Sequence, residues 1–435
     1  QNYYLTKRMA LNIIWIGFFL VAFVVGMIKL VFFQDLEVFK AIVDTLFSRA
    51  KLGFEISIGL TGILALWMGI MKIGEKGGAV KLLSRAVSPL FTKLFPEIPK
   101  NHPAIGSMMM NFSANMLGLD NAATPLGLKA MDQLQELNPE KEKATNAQIM
   151  FLVLNTSGLT IIPVTIMALR ASNGSIDPTI VFLPILITTF VSSIIGLIVT
   201  SIFQKINLFH PTILAYLGFA ITAVGVFIWY LNGLEKSELA VVSGLISNLL
   251  IFGIIIFFLI LALIKKVNVY ESFIDGAKEG FGVAIKIIPY LIAMLCAIGV
   301  FTASGAMDLL MDGFRSIFEL FVSNTRFVEG VPTAIMKPLS GGGARGLMLE
   351  SWQIAENNLI AQGITDVKGA DTFVGRLTSV LQGSTETTFY VLAVYFGSVG
   401  IKKIRYAAVV GLIADLAGII AAILITYYFF GNGQY

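Results

Sequence analysis

Thr212-Ile-Leu-Ala-Tyr-Leu-Gly-Phe-Ala-Ile-Thr-Ala-Val-Gly-Val-Phe-Ile-Trp-Tyr-Leu231 is an uncharged apolar run. It has the roughly 20 residues that an α-helix needs to cross a bilayer core. Similar runs lie on both sides of it. The chain predicts nine spans, near 10–33, 52–74, 145–170, 178–204, 212–231, 240–264, 284–303, 374–398 and 404–429. Two further segments, 103–132 and 331–360, are apolar but broken by polar and glycine clusters. They read as re-entrant hairpins, since irregular backbone at membrane depth must be buried in protein or line a cavity.

The order of these segments repeats around 212–231. Before it the chain runs span, span, amphipathic segment (79–95), hairpin, span, span. After it the same order returns, with an amphipathic segment at 306–323. Four crossings bring the chain back to its starting side, so a second copy joined directly would lie parallel to the first. One extra crossing inverts it. The fold expected is an all-α polytopic membrane protein with an inverted-topology repeat and discontinuous helices. Residues 1–206 form the first repeat, 207–236 the connecting helix and 237–435 the second repeat.

Composition fits this reading. Hydrophobic residues make up 56% of the 435 and charged residues 13%, too few for a soluble protein's charged shell. One cysteine, Cys296, rules out an internal disulfide framework, and two histidines without a Cys/His cluster argue against a metal site. The net charge of +4 is scattered, so no nucleic-acid partner is expected. There is no Walker A sequence. Lys7 and Arg8 precede the first span. With the N-terminus in the cytoplasm, about 19 of the 31 Lys and Arg fall inside, as the positive-inside bias requires. The expected location is the cytoplasmic (inner) membrane, with the C-terminus external.

Four polar breaks interrupt the apolar pattern. The first hairpin carries Asn111, Ser113, Asn115, Asp120, Asn121 and Thr124. The second carries Ser340, Gly342 and Arg345. The broken spans carry Asn155-Thr156-Ser157-Gly158 and Gln382-Gly383-Ser384-Thr385-Glu386-Thr387. Pro125 suits a first helical turn. A helix broken at such a point exposes unpaired amides and carbonyls. Exposed amides attract anions, and paired discontinuous helices are a pointer to a transporter's binding site. The rival reading is close helix packing through small residues. Ionisable groups at depth are costly, which singles out Asp120, Glu386, Asp415 and Arg345. Arg345 pairs with a carboxylate in the alternative reading. Lys29, Glu55, Lys286, Lys337 and Arg376 fall near predicted interfaces, where long side chains snorkel, and receive no role.

At these residues the chain resembles a known family. From Asn101 to Arg170 it resembles the spore maturation protein A family, in Ala114-Asn115-Met116-Leu117-Gly118, Asn121-Ala122-Ala123-Thr124-Pro125 and Leu154-Asn155-Thr156-Ser157. From Glu271 onward it resembles the spore maturation protein B family, in Ile288-Pro289-Tyr290-Leu291, Pro338-Leu339-Ser340-Gly341, Gly343-Ala344-Arg345-Gly346 and Gln382 through Lys402. The chain looks like a fusion of the two. The resemblance implies the nucleoside-recognition (Gate) group and kinship with concentrative nucleoside transporters and the membrane part of ferrous-iron transporters. Gly383-Ser384-Thr385-Glu386 is similar to a G-x-T-E turn of a nucleoside-transporter hairpin, followed here by Thr387 instead of a small apolar residue.

Three functions follow as expectations. The first is a secondary transporter of a small polar or anionic solute, coupled to Na⁺ or H⁺. Its substrate contacts would be Asn111, Ser113, Asn115, Asn121, Thr124, Asn155, Thr156, Ser157, Ser340, Gly342, Arg345, Gln382, Ser384, Thr385 and Thr387. Its ion coupling would use Asp120, Glu386 and Asp415. It needs no cofactor. Its partners are membrane lipid, the solute and a second copy of the chain. The second is a membrane scaffold for cell-envelope maturation of the spore-cortex type. The third is a membrane enzyme on a lipid-linked envelope precursor. Against it stands the lack of a nucleophile–base pair, and no enzymatic activity is expected.

Overall fold

A computed structural model describes residues 2–99, 101–233 and 236–431. The side chains of 2–11, 120–122, 232 and 236–240 lie outside the described set. Among the described residues all regular structure is helical, apart from an isolated parallel bridge between Lys143 and Lys403.

The chain opens with α1 (Asn2–Phe33) and then runs through a series. This comprises α2 (Val38–Gly77), α3 (Ala79–Leu94), α4 (Pro103–Met116), α5 (Asp120–Glu136), α6 (Asn146–Thr156), α7 (Val164–Ser172) and α8 (Phe182–Gln204). After α9 (Pro211–Asn232) and α10 (Lys236–Ile264) the same order returns. It comprises α11 (Val269–Ala303), α12 (Ala306–Phe318), α13 (Val331–Leu339), α14 (Gly341–Ala361), α15 (Phe373–Gly383), α16 (Thr388–Ser398) and α17 (Ala407–Phe430). In both series a long helix ends at a left-handed glycine, Gly78 at φ 89° and Gly305 at φ 86°. A short amphipathic helix follows each turn.

Seven helices are long and apolar enough to cross a membrane, within α1, α2, α8, α9, α10, α11 and α17. The predicted spans 145–170 and 374–398 are the broken pairs α6–α7 and α15–α16. Together these occupy the nine stretches predicted as spans. The hairpins are α4–α5 and α13–α14, which turn at Leu117–Leu119 and Ser340. His102 caps α4, its Nδ1 accepting from the Ala104 amide at 3.3 Å. Because α5 begins at Asp120, Pro125 sits in its second turn and not the first.

Two helices are much longer than their apolar cores. α2 has 40 residues and α11 has 35. At about 1.5 Å per residue α2 reaches about 60 Å, twice the hydrocarbon thickness. Apolar patterning ends where charges begin, but here the charges pair between the helices. Lys72 meets Glu279 at 3.0 Å and Lys76 meets Asp275 at 2.8 Å. The backbones touch along the seam. A Cβ on Gly276 would lie 2.2 Å from the Met68 carbonyl oxygen, and one on Gly280 would lie 2.6 Å from that of Leu64. Glycine permits this approach.

The contacts set the direction of pairing. Gly299 faces Thr45 and Arg49, Gly53 faces Ile292, and Gly276 faces Met68. Numbers rise on α2 as they fall on α11, so these corresponding helices are antiparallel. The same holds for α8 and α17. Phe203 stacks on Tyr406, while the Ser192 hydroxyl donates to the Ala414 carbonyl at 2.9 Å. The first helix of each series packs on the other's long helix. On α1, Trp15 donates to the Ala293 carbonyl of α11, and on α10, Phe258 covers Gly74 of α2.

Candidate functional site

The broken helices meet at their breaks. The Glu386 amide donates to the Thr156 carbonyl at 2.8 Å, joining the end of α6 to the segment before α16. Gly158 stands at φ 60°, and a Cβ there would come within 3.0 Å of the Glu386 amide nitrogen. Only glycine takes this conformation without cost. Pro163 caps α7 and ends the seven-residue gap 157–163, while the second gap spans 384–387.

Beside this crossing lies a cavity of about 160 Å³. The expected residues Asn115, Arg345, Gln382, Thr385, Glu386 and Thr387 line it. α14 starts at the same place. The Ser340 hydroxyl accepts from the Gly343 amide at 3.1 Å, and a Cβ on Gly341 would lie 2.8 Å from the Thr387 hydroxyl. The Gln382 side-chain amide donates to the Gly341 carbonyl at 3.2 Å. Gln382 is buried, and its Oε1 meets no hydrogen-bond donor. Ser340 and Gly342 line a second, larger space that shares Gly341, Arg345 and Thr387 with the first.

Other expected residues are engaged beside the cavity. Asn155 accepts from Asn115 Nδ2 at 2.7 Å and from the Tyr395 hydroxyl at 3.2 Å, and donates to the Phe151 carbonyl at 2.8 Å. Asn111 donates to the Ala123 carbonyl at 2.8 Å and to Tyr395 Oη at 3.2 Å. Thr156, Ser157 and Ser384 return their hydroxyls to carbonyls one turn back, those of Val153, Leu154 and Leu381. Ser113 is buried away from the cavity lining, and Thr124 is half-buried and partnered. Asp415 is buried on α17, its Oδ2 accepting from the Thr388 hydroxyl at 2.6 Å behind the second break. The side chains of Asp120 and Asn121 lie outside the described residues.

Lys337, first read as an interface side chain, is 5% exposed and lines the cavity. Seven residues separate it from Arg345, across the Ser340-Gly-Gly-Gly turn. Two cations flanking a helix start are a signal that a count of spans passes over. Thr160 of the first gap also lines the cavity. The lining thus carries two cations and one carboxylate, with the start of a 21-residue helix. Helix starts and cations both favour a negative group.

Two ion pairs on buried carboxylates tie the halves together, and neither stood out in the sequence. Arg49 of α2 meets Glu350 of α14 at 2.7 Å. Arg170, fully buried, meets Asp371 at 2.8 Å. Ser175 and the Ile176 amide also donate to the Asp371 carboxylate.

The architecture is that of a polytopic membrane protein built from two like series of helices around a polar crossing. The chain belongs to the nucleoside-recognition (Gate) family, which matches residues 57–172 and 284–402. These stretches fall one in each series. The chain is 45% identical over 195 residues to spore maturation protein B of Bacillus subtilis (strain 168), covering 45% of this chain and 96% of that protein. It is 40% identical over 192 residues to spore maturation protein A of the same organism, covering 44% of this chain and 94% of that protein. Each relative accounts for about half of the chain, as in a fusion of the two.

Proposed function

We propose that this protein is a secondary transporter of a small anionic solute, working by alternating access. The observation that carries this reading is the cavity at the crossing, with Lys337 and Arg345 beside the α14 start and Glu386 opposite the first break. In this reading the corresponding helices are antiparallel because the two series are inverted repeats, residues 1–206 and 237–435, across the plane of the cytoplasmic membrane. The odd helix α9 performs the inversion. The N-terminal side then lies in the cytoplasm and the C-terminal side outside. The hairpins α4–α5 and α13–α14 gate the cavity from opposite faces. Arg345 and Lys337 hold the anion, Gln382 and Thr387 orient it, and Glu386 with Asp415 carries the coupling H⁺ or Na⁺. No catalytic group is needed.

At about 160 Å³ the cavity is smaller than the roughly 300–1,000 Å³ typical of drug-sized ligands. That size supports a phosphate- or carboxylate-sized group over a whole nucleoside. Transport of a panel of labelled anions, free in water or carried on a lipid head, in proteoliposomes tests the reading. Transport should drop at least tenfold in Arg345→Ala and keep its rate in Lys266→Ala, a change remote from the cavity. A panel without any Arg345-dependent transport, whether of a free anion or of an anion carried on a lipid head, would sink it.

A second reading, a scaffold for envelope assembly, is favoured by the tight contact of the two breaks at Gly158 and Glu386. The names of the two spore maturation relatives agree with it. It requires that cavity substitutions which leave folding intact also leave the cell phenotype intact.

A further inference from the structure

The polar cavity is small, but it is not closed on all sides by polar groups. A second space of about 1060 Å³ adjoins it, and Gly341, Arg345 and Thr387 line both. The wall of this crevice is apolar. Trp15 of α1, Ile287, Tyr290 and Met294 of α11, Leu339 of α13 and Val394 of α16 form much of it. Tyr290 is 72% exposed and Gly342 is also exposed, so the crevice opens on the outer face of the helix bundle. In a membrane that face meets acyl chains.

A soluble anion gains nothing from such an approach. It would have to shed water along an apolar wall before reaching the cations. An amphiphile meets no such barrier, because its chain stays in apolar surroundings while its head enters the polar pocket. Volume agrees with this division. A cavity of ~150 Å³ holds about one benzene-sized group, enough for a headgroup's anion. The unpartnered Oε1 of buried Gln382 adds an acceptor for a hydroxyl on that head.

We propose that the ligand of this site is an anionic lipid. Its phosphate sits between Lys337, Arg345 and the first turn of α14, and its chain lies in the crevice along Trp15 and α11. This rests on the transporter reading and names the substrate class for it: the molecule enters sideways from a leaflet instead of from water.

Brominated acyl chains test the proposal, because they quench nearby tryptophan. The probe is phosphatidic acid with dibrominated chains, titrated against the detergent-solubilised full chain. Brominated phosphatidylcholine serves as the zwitterionic control. The signal is the part of the quenching that disappears in Trp15→Phe. Phosphatidic acid should quench this part at a concentration at least tenfold lower than phosphatidylcholine. Arg345→Ala and Gly342→Leu should each remove that preference. Gly342→Leu tests the crevice without threatening the fold, since a Cβ at this position has nothing within 4 Å.

Equal quenching by the two lipids would overturn the proposal, and so would a preference that survives both substitutions. Displacement of phosphatidic acid by an equal concentration of inorganic phosphate would also overturn it, showing a site for a free anion. Arg345-dependent uptake of a soluble anion without any lipid preference defeats the lipid proposal and leaves transport standing. A lipid preference without movement of lipid between leaflets upholds the site and defeats transport.

Discussion

The two breaks hold similar residues and use them differently. At the first, Asn155, Thr156 and Ser157 are spent inside the protein. Asn155 bonds to Asn115, Tyr395 and its own helix, and the two hydroxyls bond one turn back. At the second, Gln382, Thr385, Glu386 and Thr387 face the cavity, and the hairpin beside them adds Lys337 and Arg345. The first half thus supplies a braced wall, and the second supplies the charges. A duplicated fold need not duplicate its chemistry. One copy can hold position while the other meets the ligand.

If the halves are braced against each other, breaking the brace should cost more than altering the cavity. The largest effect is expected at Arg170. It is fully buried, and its loss strands the buried Asp371 carboxylate. Removing one partner of a buried pair costs about 3–5 kcal/mol. Arg170→Met should therefore lower the unfolding temperature in detergent sharply, or abolish stable protein. Replacing both partners by apolar side chains, Arg170→Met with Asp371→Leu, should recover much of the loss. A double variant as unstable as the single would show that Arg170 acts through Ala370 and Ser379 instead.

The contrast between the breaks is sharpened by matched amide changes. Asn155→Leu leaves the Asn115 side-chain amide and the Tyr395 hydroxyl without their common acceptor. Buried groups left unpaired cost about 1–3 kcal/mol each. Gln382→Leu loses one bond to the Gly341 carbonyl, for a cost of about 1 kcal/mol. Thermal unfolding should rank Asn155→Leu as the less stable. Binding of a hydroxyl-bearing anion such as dihydrogen phosphate to folded protein should rank Gln382→Leu as the weaker, since the open Gln382 oxygen accepts from that hydroxyl. The reverse order in either measurement would erase the distinction between wall and ligand side.

Much of this arrangement was legible in the sequence. All seven helices long and apolar enough to cross a membrane follow from apolar runs, and the polar clusters mark both hairpins and both broken helices. Lengths were less legible. The run 52–74 shows only the apolar part of α2, because Arg49 and Lys76 carry the helix onward through partners far away in the chain. The same reason hid Asp371 and Glu350, whose meaning lies in the cations they meet. Lys337 looked like an interface residue because sequence position gives depth and not direction. Its last-turn place on a short re-entrant helix turns it into the cavity. Residue type alone also could not separate Asn155, which is spent on structure, from Gln382, which keeps an open acceptor.

The smallest effect is expected where the halves meet in water. The loop before α6 lies against the loop after α16. The Ala144 amide donates to the Lys403 carbonyl at 3.0 Å, and Lys402 pairs with Glu142. This mirrors the place of Arg170 and Asp371, which join the last turn of α7 to the short 3₁₀ turn before α15. The difference is exposure, and exposed pairs contribute little. Lys402 holds the Glu142 carboxyl below the usual carboxylate range. A carboxyl depressed in the folded state stabilises above its unfolded value, about 4.3 for Glu. That contribution fades as the pH falls through the lower folded value. Glu142→Gln should therefore lower the unfolding temperature only slightly at pH 7, and the gap to the parent should close at acidic pH. Added salt should shrink the gap at pH 7 too, since screening acts on exposed charges. A drop as large as that of Arg170→Met would mean that the exposed Glu142–Lys402 pair is itself a brace, and that both ends of the crossing carry equal weight.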